Sequence, residues 1–262
     1  MHYVIGDTHG RYDLVQKMID SGFFDPSKDS VFFLGDYYKH GKPQLGDNQR
    51  LMYLLGKYYC TDISRPGFHL IRGNGEWKSG RMNKVFGNII ISACPDIVAL
   101  KISGYTVCLS HCGMERHLWE QIGSIGKYPA EFFLNTAQNS DIYKAVVDER
   151  RQNGDISYLD RPDGTAPDYW PDNIDKTIFI HGHFPAQKDK EYSGNKLYNY
   201  IPVPEINSTD SGPFVRYNEL RHAMNIDTGA GQNTCPRLAC VCVESFIDRL
   251  NDKKANCFYY CD

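Results

Sequence analysis

Val4-Ile5-Gly6-Asp7-Thr8-His9-Gly10 is the stretch that decides how this chain folds. A short apolar run ends at the first glycine, a polar motif follows at once, and apolar residues then recur at helical spacing from Leu14. This order predicts a strand, a loop and a helix. It places Asp7 and His9 in the loop, at the carboxyl end of the strand.

The same arrangement of an apolar run followed by polar residues recurs along the chain. It ends at Gly35-Asp36, at Arg72-Gly73-Asn74 and at His181-Gly182-His183. Open sheets usually bind ligands at the carboxyl ends of their strands. We therefore expect an α/β sheet whose functional site lies along that edge.

Other segments depart from the strand-and-helix alternation. Residues 97–109 predict two strands around a tight turn, which leads into Ser110-His111. Residues 114–152 are expected to be largely helical, and residues 189–219 to form a long loop. Further strands are predicted at 223–227, 238–243 and 257–260. We expect one domain, 1–262, with loop or cap-like insertions at about 114–175 and 189–219.

Composition narrows the class of protein. The chain has 262 residues, with 29 Lys and Arg against 32 Asp and Glu, so no broad basic field is available for non-specific nucleic-acid binding. No run approaches the roughly 20 apolar residues that span a bilayer, and no signal-peptide pattern precedes the first motif. We expect a cytoplasmic protein without a membrane partner, and the oligomeric state is left open.

Nine cysteines are an odd number, and most lie singly or in apolar stretches such as residues 238–243. Reduced thiols that pack as small apolar side chains are the simplest interpretation. The alternative is a zinc site, although its spacing is not typical of a zinc knuckle. Its candidate ligands are Cys235, Cys240, Cys242, Cys257 and Cys261.

Metal-ligating residue types follow the predicted strands in a consistent order. They are Asp7, His9, Asp36, Asn74, His111 and His183. Cleavage of a phosphoester by water needs a nucleophile at neutral pH and neutralised phosphoryl charge, and two divalent ions about 3.5–4 Å apart supply both through a hydroxide held between them. One carboxylate must then contact both ions, and Asp36 is the candidate. Oxygen and imidazole ligands without thiolates suit manganese, our first expectation, with iron or zinc as alternatives.

These residues resemble the motifs of the calcineurin-like metallophosphoesterases, in the branch of the Ser/Thr phosphoprotein phosphatases and bacterial diadenosine tetraphosphatases. The family motifs are GDxHG, GDxxDRG, GNHE, a strand ending in His, and GHTP. They correspond here to residues 6–10, 35–41, 73–76, 110–111 and 182–185, and Asn225-Ile226-Asp227-Thr228-Gly229 resembles a further run of the bacterial members. The resemblance implies a metallophosphoesterase fold, a four-layer sandwich in which two mixed β-sheets pack between helices.

The resemblance also implies residue roles. Asp7 and His9 match the ligands of the first ion, Asp36 the bridge, and Asn74, His111 and His183 the ligands of the second. His181 matches no ligand and is expected to be a buried histidine at a strand end, with a hydrogen-bonded support for a metal ligand as the alternative.

The sequence departs from the family at the proton donor. Gly75 replaces the histidine of GNHE, Lys39 replaces the aspartate that orients it, and His40 replaces the arginine of DRG. His40 is a candidate replacement acid and Lys39 a candidate phosphate ligand, with solvated loop residues as the competing interpretation. General acid catalysis is typically worth about 10²–10⁴-fold, so substrates with good leaving groups should suffer least.

Arginines are the other candidate contacts to phosphate. Arg72 precedes the GN motif, and Arg161 lies in the region where the family places a phosphate-binding arginine, with Arg150 and Arg151 equally eligible. The leading hypothesis is a divalent-metal phosphoesterase that acts on a phosphorylated protein, nucleotide or small molecule. The alternative is a pseudophosphatase that binds metal and phosphorylated ligands without cleaving them.

Overall fold

The computed structural model of the protein describes residues 1–37, 47–73, 94–95, 97–111, 176–183, 201–203, 215–218, 223–231, 236–251 and 256–262. Its elements, in chain order, are β1 (His2–Ile5), α1 (Tyr12–Asp20), β2 (Ser30–Phe33), α2 (Asn48–Tyr58), β3 (Gly67–Leu70), β4 (Ile97–Ile102), β5 (Tyr105–Ser110), β6 (Thr177–His181), β7 (Ile201–Val203), β8 (Val215–Asn218), β9 (Ala223–Asn225), β10 (Leu238–Cys242), α3 (Val243–Leu250) and β11 (Phe258–Cys261).

The first sheet has the strand order β11-β10-β1-β2-β3 among the described residues. The strands β1, β2 and β3 are parallel, and β10 runs antiparallel to both of its neighbours. The sheet is therefore mixed, with the carboxyl ends of β1, β2 and β3 at one edge.

The second sheet has the order β4-β5-β6-β9-β8-β7. The strands β5, β6 and β9 are parallel, and the remaining pairs are antiparallel. Its parallel strands bring a second set of carboxyl ends to a common edge.

Two apolar cores hold these layers together. In each strand of the first sheet, alternate residues face opposite sides, as in β2, where Val31 and Phe33 face helices α1 and α2 while Phe32 faces the second sheet. Burial on both faces explains why its residues 31–33 are continuously apolar. The outer face of the second sheet is buried too, at Cys108 and Phe179. The predicted pair of mixed β-sheets, with helices packed on the outer face of the first, is confirmed.

The structure differs from the sequence-based expectation in two places. The predicted loop at 189–219 contains β7 and β8, so a loop throughout this segment was wrong. The strand β7 is three residues long, contains Pro202 and lies at the sheet edge, where proline is tolerated, so it gives little periodic signal. Helix α3 was not predicted, although Val243, Phe246 and Ile247 form its buried face.

Among the described residues, no helix combines the length and apolar character needed to cross a bilayer.

Candidate metal centre

The carboxyl ends of the parallel strands from both sheets meet at one place. Three close contacts join them: a Cβ at Gly6 would lie 2.5 Å from the Ile226 carbonyl oxygen, His111 Nδ1 lies 2.9 Å from the Leu34 carbonyl oxygen, and the His183 N–H donates to Asp7 Oδ2 at 3.0 Å. Packing of one sheet on the other therefore brings distant parts of the chain to a single site.

The first group of potential ligands is Asp7, His9 and Asp36. One ligand atom from each lies within 4.8 Å of the others. Asp7 and Asp36 follow β1 and β2, and both are buried. The His9 N–H donates to the Asp36 carbonyl oxygen at 2.8 Å, so the two loops are joined through their backbones.

The second group is Asp36, His111 and His183, whose ligand atoms also lie within 4.8 Å of one another. His111 follows β5 and His183 follows β6. His111 Nε2 lies 3.6 Å from Asp36 Oδ1 and 3.0 Å from His183 Nδ1. Asp36 is thus common to both groups, which is the arrangement expected of a carboxylate between two ions.

The tautomer of His111 follows from its partners. Its Nδ1 lies 2.9 Å from the Leu34 carbonyl oxygen, which can only accept a hydrogen bond, so Nδ1 carries the proton and the lone pair belongs on Nε2, the atom that faces Asp36 and His183. Metal-ligating histidines commonly donate their other ring N–H to a backbone carbonyl in this way. Burial lowers the pKa of His111, against the raising effect of the Asp36 charge, and so favours the neutral ring that can bind a cation.

The backbone of this site is strained. His9, Asp36 and His183 have positive φ values of 45°, 49° and 74°, a region that non-glycine residues seldom adopt. Such conformations persist when surrounding contacts over-determine them, and they concentrate at functional sites. Three of the predicted ligands therefore carry a local cost that helix and strand formation does not require.

Glycines provide the space in which these ligands lie. A Cβ at Gly182 would overlap Asp7 Oδ1, and a Cβ at Gly231 would lie 2.6 Å from the His9 ring. A Cβ at Gly35, which also has φ of +106°, would lie 2.5 Å from the Gly73 nitrogen. Ligands and backbone are packed too closely here for any larger side chain.

Asp227 is a residue of the site to which the sequence assigned no role. It follows β9, is 2% exposed, and accepts a hydrogen bond from the Gly229 N–H at 2.9 Å. Burial raises the pKa of Asp227 to about 6, His9 and the Gly229 N–H oppose the rise, and the Asp36 charge adds to it. In the sequence, Asp227 could have been found as an acidic residue that closely follows an apolar strand.

The described residues fit divalent cations. Buried carboxylates near one another are costly unless a cation compensates them. The site offers carboxylate oxygens from Asp7 and Asp36 and ring nitrogens from three histidines, and the described residues contribute no thiolate to either group. This donor set suits manganese, iron or zinc.

Of the other predicted residues, some lie in the described part of the chain and others do not. His181 is a buried strand-end histidine whose Nδ1 lies 3.1 Å from the Gly182 oxygen, and burial lowers its pKa to about 4. Arg72 lies two residues after the end of β3, and its backbone N–H donates to the Pro95 oxygen at 3.0 Å. The remaining predicted positions lie outside the described residues: Lys39, His40, Asn74, Gly75, Arg150, Arg151, Arg161 and Cys235.

The cysteines do not form the alternative zinc site in the part of the chain that the structure describes. Cys240 and Cys242 face helices α1 and α2, whereas Cys257 faces the core between the sheets. The two Asp/His groups are the only clusters of potential ligands among the described residues. Burial raises the pKa of the Cys240 thiol well above its usual range, as expected of an inert core thiol.

Comparison with known proteins gives relatives of limited similarity. The symmetrical bis(5'-nucleosyl)-tetraphosphatase of Paracidovorax citrulli is 28% identical over 177 residues, which cover 66% of this chain and 59% of that protein. The protein of the same name from Actinobacillus succinogenes is 35% identical over 69 residues, 26% of this chain and 25% of that protein. The chain therefore spans between a quarter and three fifths of the length of these relatives.

Solved structures agree on the fold. A cold-active protein tyrosine phosphatase superposes with a TM-score of 0.50 at 15% identity, over 92% of this chain and 73% of that one. The sequence model of the calcineurin-like phosphoesterases, a family of metal-dependent hydrolases, matches residues 3–220. That match covers most of the 262 residues and includes every predicted ligand, so the chain belongs to the calcineurin-like phosphoesterase family.

Proposed function

We propose that this protein is a divalent-metal-dependent phosphoesterase that hydrolyses phosphoester or phosphoanhydride bonds. The observation that supports the proposal is the sharing of Asp36 between two groups of potential ligands. Two divalent ions bound there would activate water and neutralise phosphoryl charge. The chain itself supplies the buried carboxylates, the histidine rings and the backbone bonds that hold them.

The proposed ligand assignment follows the two groups. Asp7 and His9 hold the first ion, Asp36 contacts both, and His111 and His183 hold the second. By the family resemblance, Asn74 is the remaining proposed ligand of the second ion. Manganese is the proposed metal because oxygen and imidazole donors of this kind accept it readily, and iron and zinc are the alternatives.

The proposed substrates have good leaving groups. Gly75 has no side chain that could protonate the leaving oxygen, and a phosphoanhydride releases a phosphate anion that needs little protonation. The relatives named symmetrical bis(5'-nucleosyl)-tetraphosphatase support dinucleoside polyphosphates as the substrate class. Arg72, Arg161 and Lys39 are the proposed phosphate contacts, and His40 is the proposed replacement acid.

The test is a hydrolysis assay with added Mn²⁺ on three substrates: p-nitrophenyl phosphate, a dinucleoside tetraphosphate and the alkyl ester phosphoserine. We expect turnover of the first two and slow turnover of the third. Asp36→Asn should lower kcat/KM by more than the ~10- to 100-fold that loss of a supporting residue costs. Asp62→Asn is the control, because Asp62 is exposed and its Oδ1 accepts only local bonds from Ser64.

A pseudophosphatase is the second candidate, favoured by the joint replacement of the proton donor and its orienting partner at Gly75 and Lys39. It predicts Mn²⁺-dependent binding of the dinucleotide, measured by equilibrium dialysis, with no product formed. Binding without turnover on any of the three substrates, in protein shown to contain metal, would reject the enzyme hypothesis.

A further inference from the structure

We propose that Tyr37 is a positioning residue that holds Asp36 in its ligating conformation by tying it to the end of the neighbouring strand. The inference rests on the proposed function, in which Asp36 contacts both ions. Tyr37 directly follows Asp36 and is fully buried in the core formed with helices α1 and α2.

The hydroxyl of Tyr37 joins the ends of two adjacent strands. It lies 2.5 Å from the carbonyl oxygen of Ile71, directly after β3, and 3.1 Å from that of Phe33, the last residue of β2. A phenol has one proton to donate, and the shorter contact assigns it to Ile71. The Ile71 N–H already donates to the Phe33 oxygen at 2.9 Å, so the hydroxyl adds its bond where this ladder ends.

The backbone of Tyr37 forms a hydrogen bond on the opposite side, to the first loop, residues 6–10, which carries Asp7 and His9. Its carbonyl oxygen accepts the Gly10 N–H at 2.8 Å, and the Asp36 oxygen accepts the His9 N–H at the same distance. Asp36 is therefore held by the first loop through its own backbone and by β3 through the side chain of the next residue.

The conformation of Asp36 explains why this support matters. At φ of 49° its backbone lies in a region that non-glycine residues seldom adopt, so the surrounding hydrogen bonds must hold it there. The same backbone turn points the carboxylate towards the histidines and sends the Tyr37 ring into the core. Loss of the hydroxyl should let Asp36 relax and should weaken the sharing of its carboxylate between two ions.

The test compares Tyr37→Phe with Tyr3→Phe. Tyr3 lies in β1 and packs in the same core, and among the described residues its hydroxyl makes no hydrogen bond that joins strand ends. Mn²⁺ binding is measured by calorimetry, and the coupling between the two bound ions by electron paramagnetic resonance. Both measurements are made well below the melting temperature of each variant, determined separately without metal.

We expect Tyr37→Phe to bind the Mn²⁺ pair ~10- to 100-fold more weakly and to show the spectrum of isolated ions, as loss of a residue that supports a ligand does. Tyr3→Phe should keep the wild-type affinity and coupled spectrum. A purely structural role would lower the melting temperature without changing the coupling. Wild-type affinity and coupling in Tyr37→Phe would overturn the inference, whereas absence of a coupled pair in the wild type would overturn the proposed function itself.

Discussion

At the scale of single residues, the site combines strained ligands with glycines that make room for them. His9, Asp36 and His183 adopt left-handed backbone conformations, and Gly182 and Gly231 lie against Asp7 and His9. Strain and close packing have the same consequence, because the ligand atoms have few positions available before any ion arrives. Preorganisation of this kind lowers the cost of binding.

Gly182→Ala tests this packing. The added methyl group would overlap Asp7 Oδ1, so we expect Mn²⁺ affinity and kcat/KM to fall by at least ~10-fold, the lower range for disturbed support of a ligand. Gly56→Ala is the matched control, because a Cβ in that position of helix α2 meets no atom within 4 Å. The control should gain about 0.5–1 kcal/mol of stability, measured by urea unfolding. Unchanged Mn²⁺ affinity in Gly182→Ala would contradict the proposed role of Asp7.

At the scale of elements, helix α3 is tied to the first strand by one carboxylate. Glu244, in the first turn of α3, accepts the His2 N–H at 3.0 Å and lies 2.7 Å from the His2 ring nitrogen. Burial raises the pKa of Glu244, but the hydrogen bonds from His2 outweigh burial and lower the pKa overall. The charged carboxylate therefore stabilises the fold.

The consequence is a defined pH dependence. Because the folded pKa of Glu244 lies below its unfolded value of 4.5, the stabilisation is complete above that pH and is lost as the pH falls through the folded pKa. Urea unfolding at pH 7 and at pH 3 should show that Glu244→Gln removes up to ~1 kcal/mol of the acid-sensitive stability, the scale of a partly exposed pair. An equal loss between the two pH values in wild type and variant would exclude this contribution.

At the scale of the whole molecule, the site is assembled from the ends of β1, β2, β5 and β6, which belong to two different sheets. An unfolded chain cannot present this arrangement, so ions that bind here bind the native state. Metal binding should therefore stabilise the entire fold and hold the two sheets together.

Removal of the ions by a chelator measures how much metal binding stabilises the fold. An ion present at 100 times its Kd adds about 2.7 kcal/mol, so removal with EDTA should lower Tm by about 5–10 °C per ion in a chain of this size. Scanning calorimetry of Asp36→Asn should show a much smaller shift, because the shared ligand is gone. An identical Tm for the wild type with Mn²⁺ and with EDTA would mean that the native fold holds no ion.

Much of the fold could be predicted because its signals are local. Continuous apolar runs such as residues 31–34 marked buried strands, and the turn at Ser103-Gly104 marked the hairpin of β4 and β5. The strand β7 was not predicted because three residues are too few to show a periodic pattern. Asp227 was visible only as a residue after a strand, since its proximity to His9 and Asp36 depends on the other sheet.

The amino-acid sequence by itself determined the chemical types of the ligands and their order after apolar strands, because strand formation and residue chemistry are encoded within a few neighbouring positions. The sequence also predicted Asp36 as the shared carboxylate, and only the tertiary structure decided which atoms it faces, that His111 presents Nε2, and that Tyr37 joins two strand ends. These features depend on distances between residues far apart in the chain. Such distances exist only once two sheets have packed face to face and brought their carboxyl ends together.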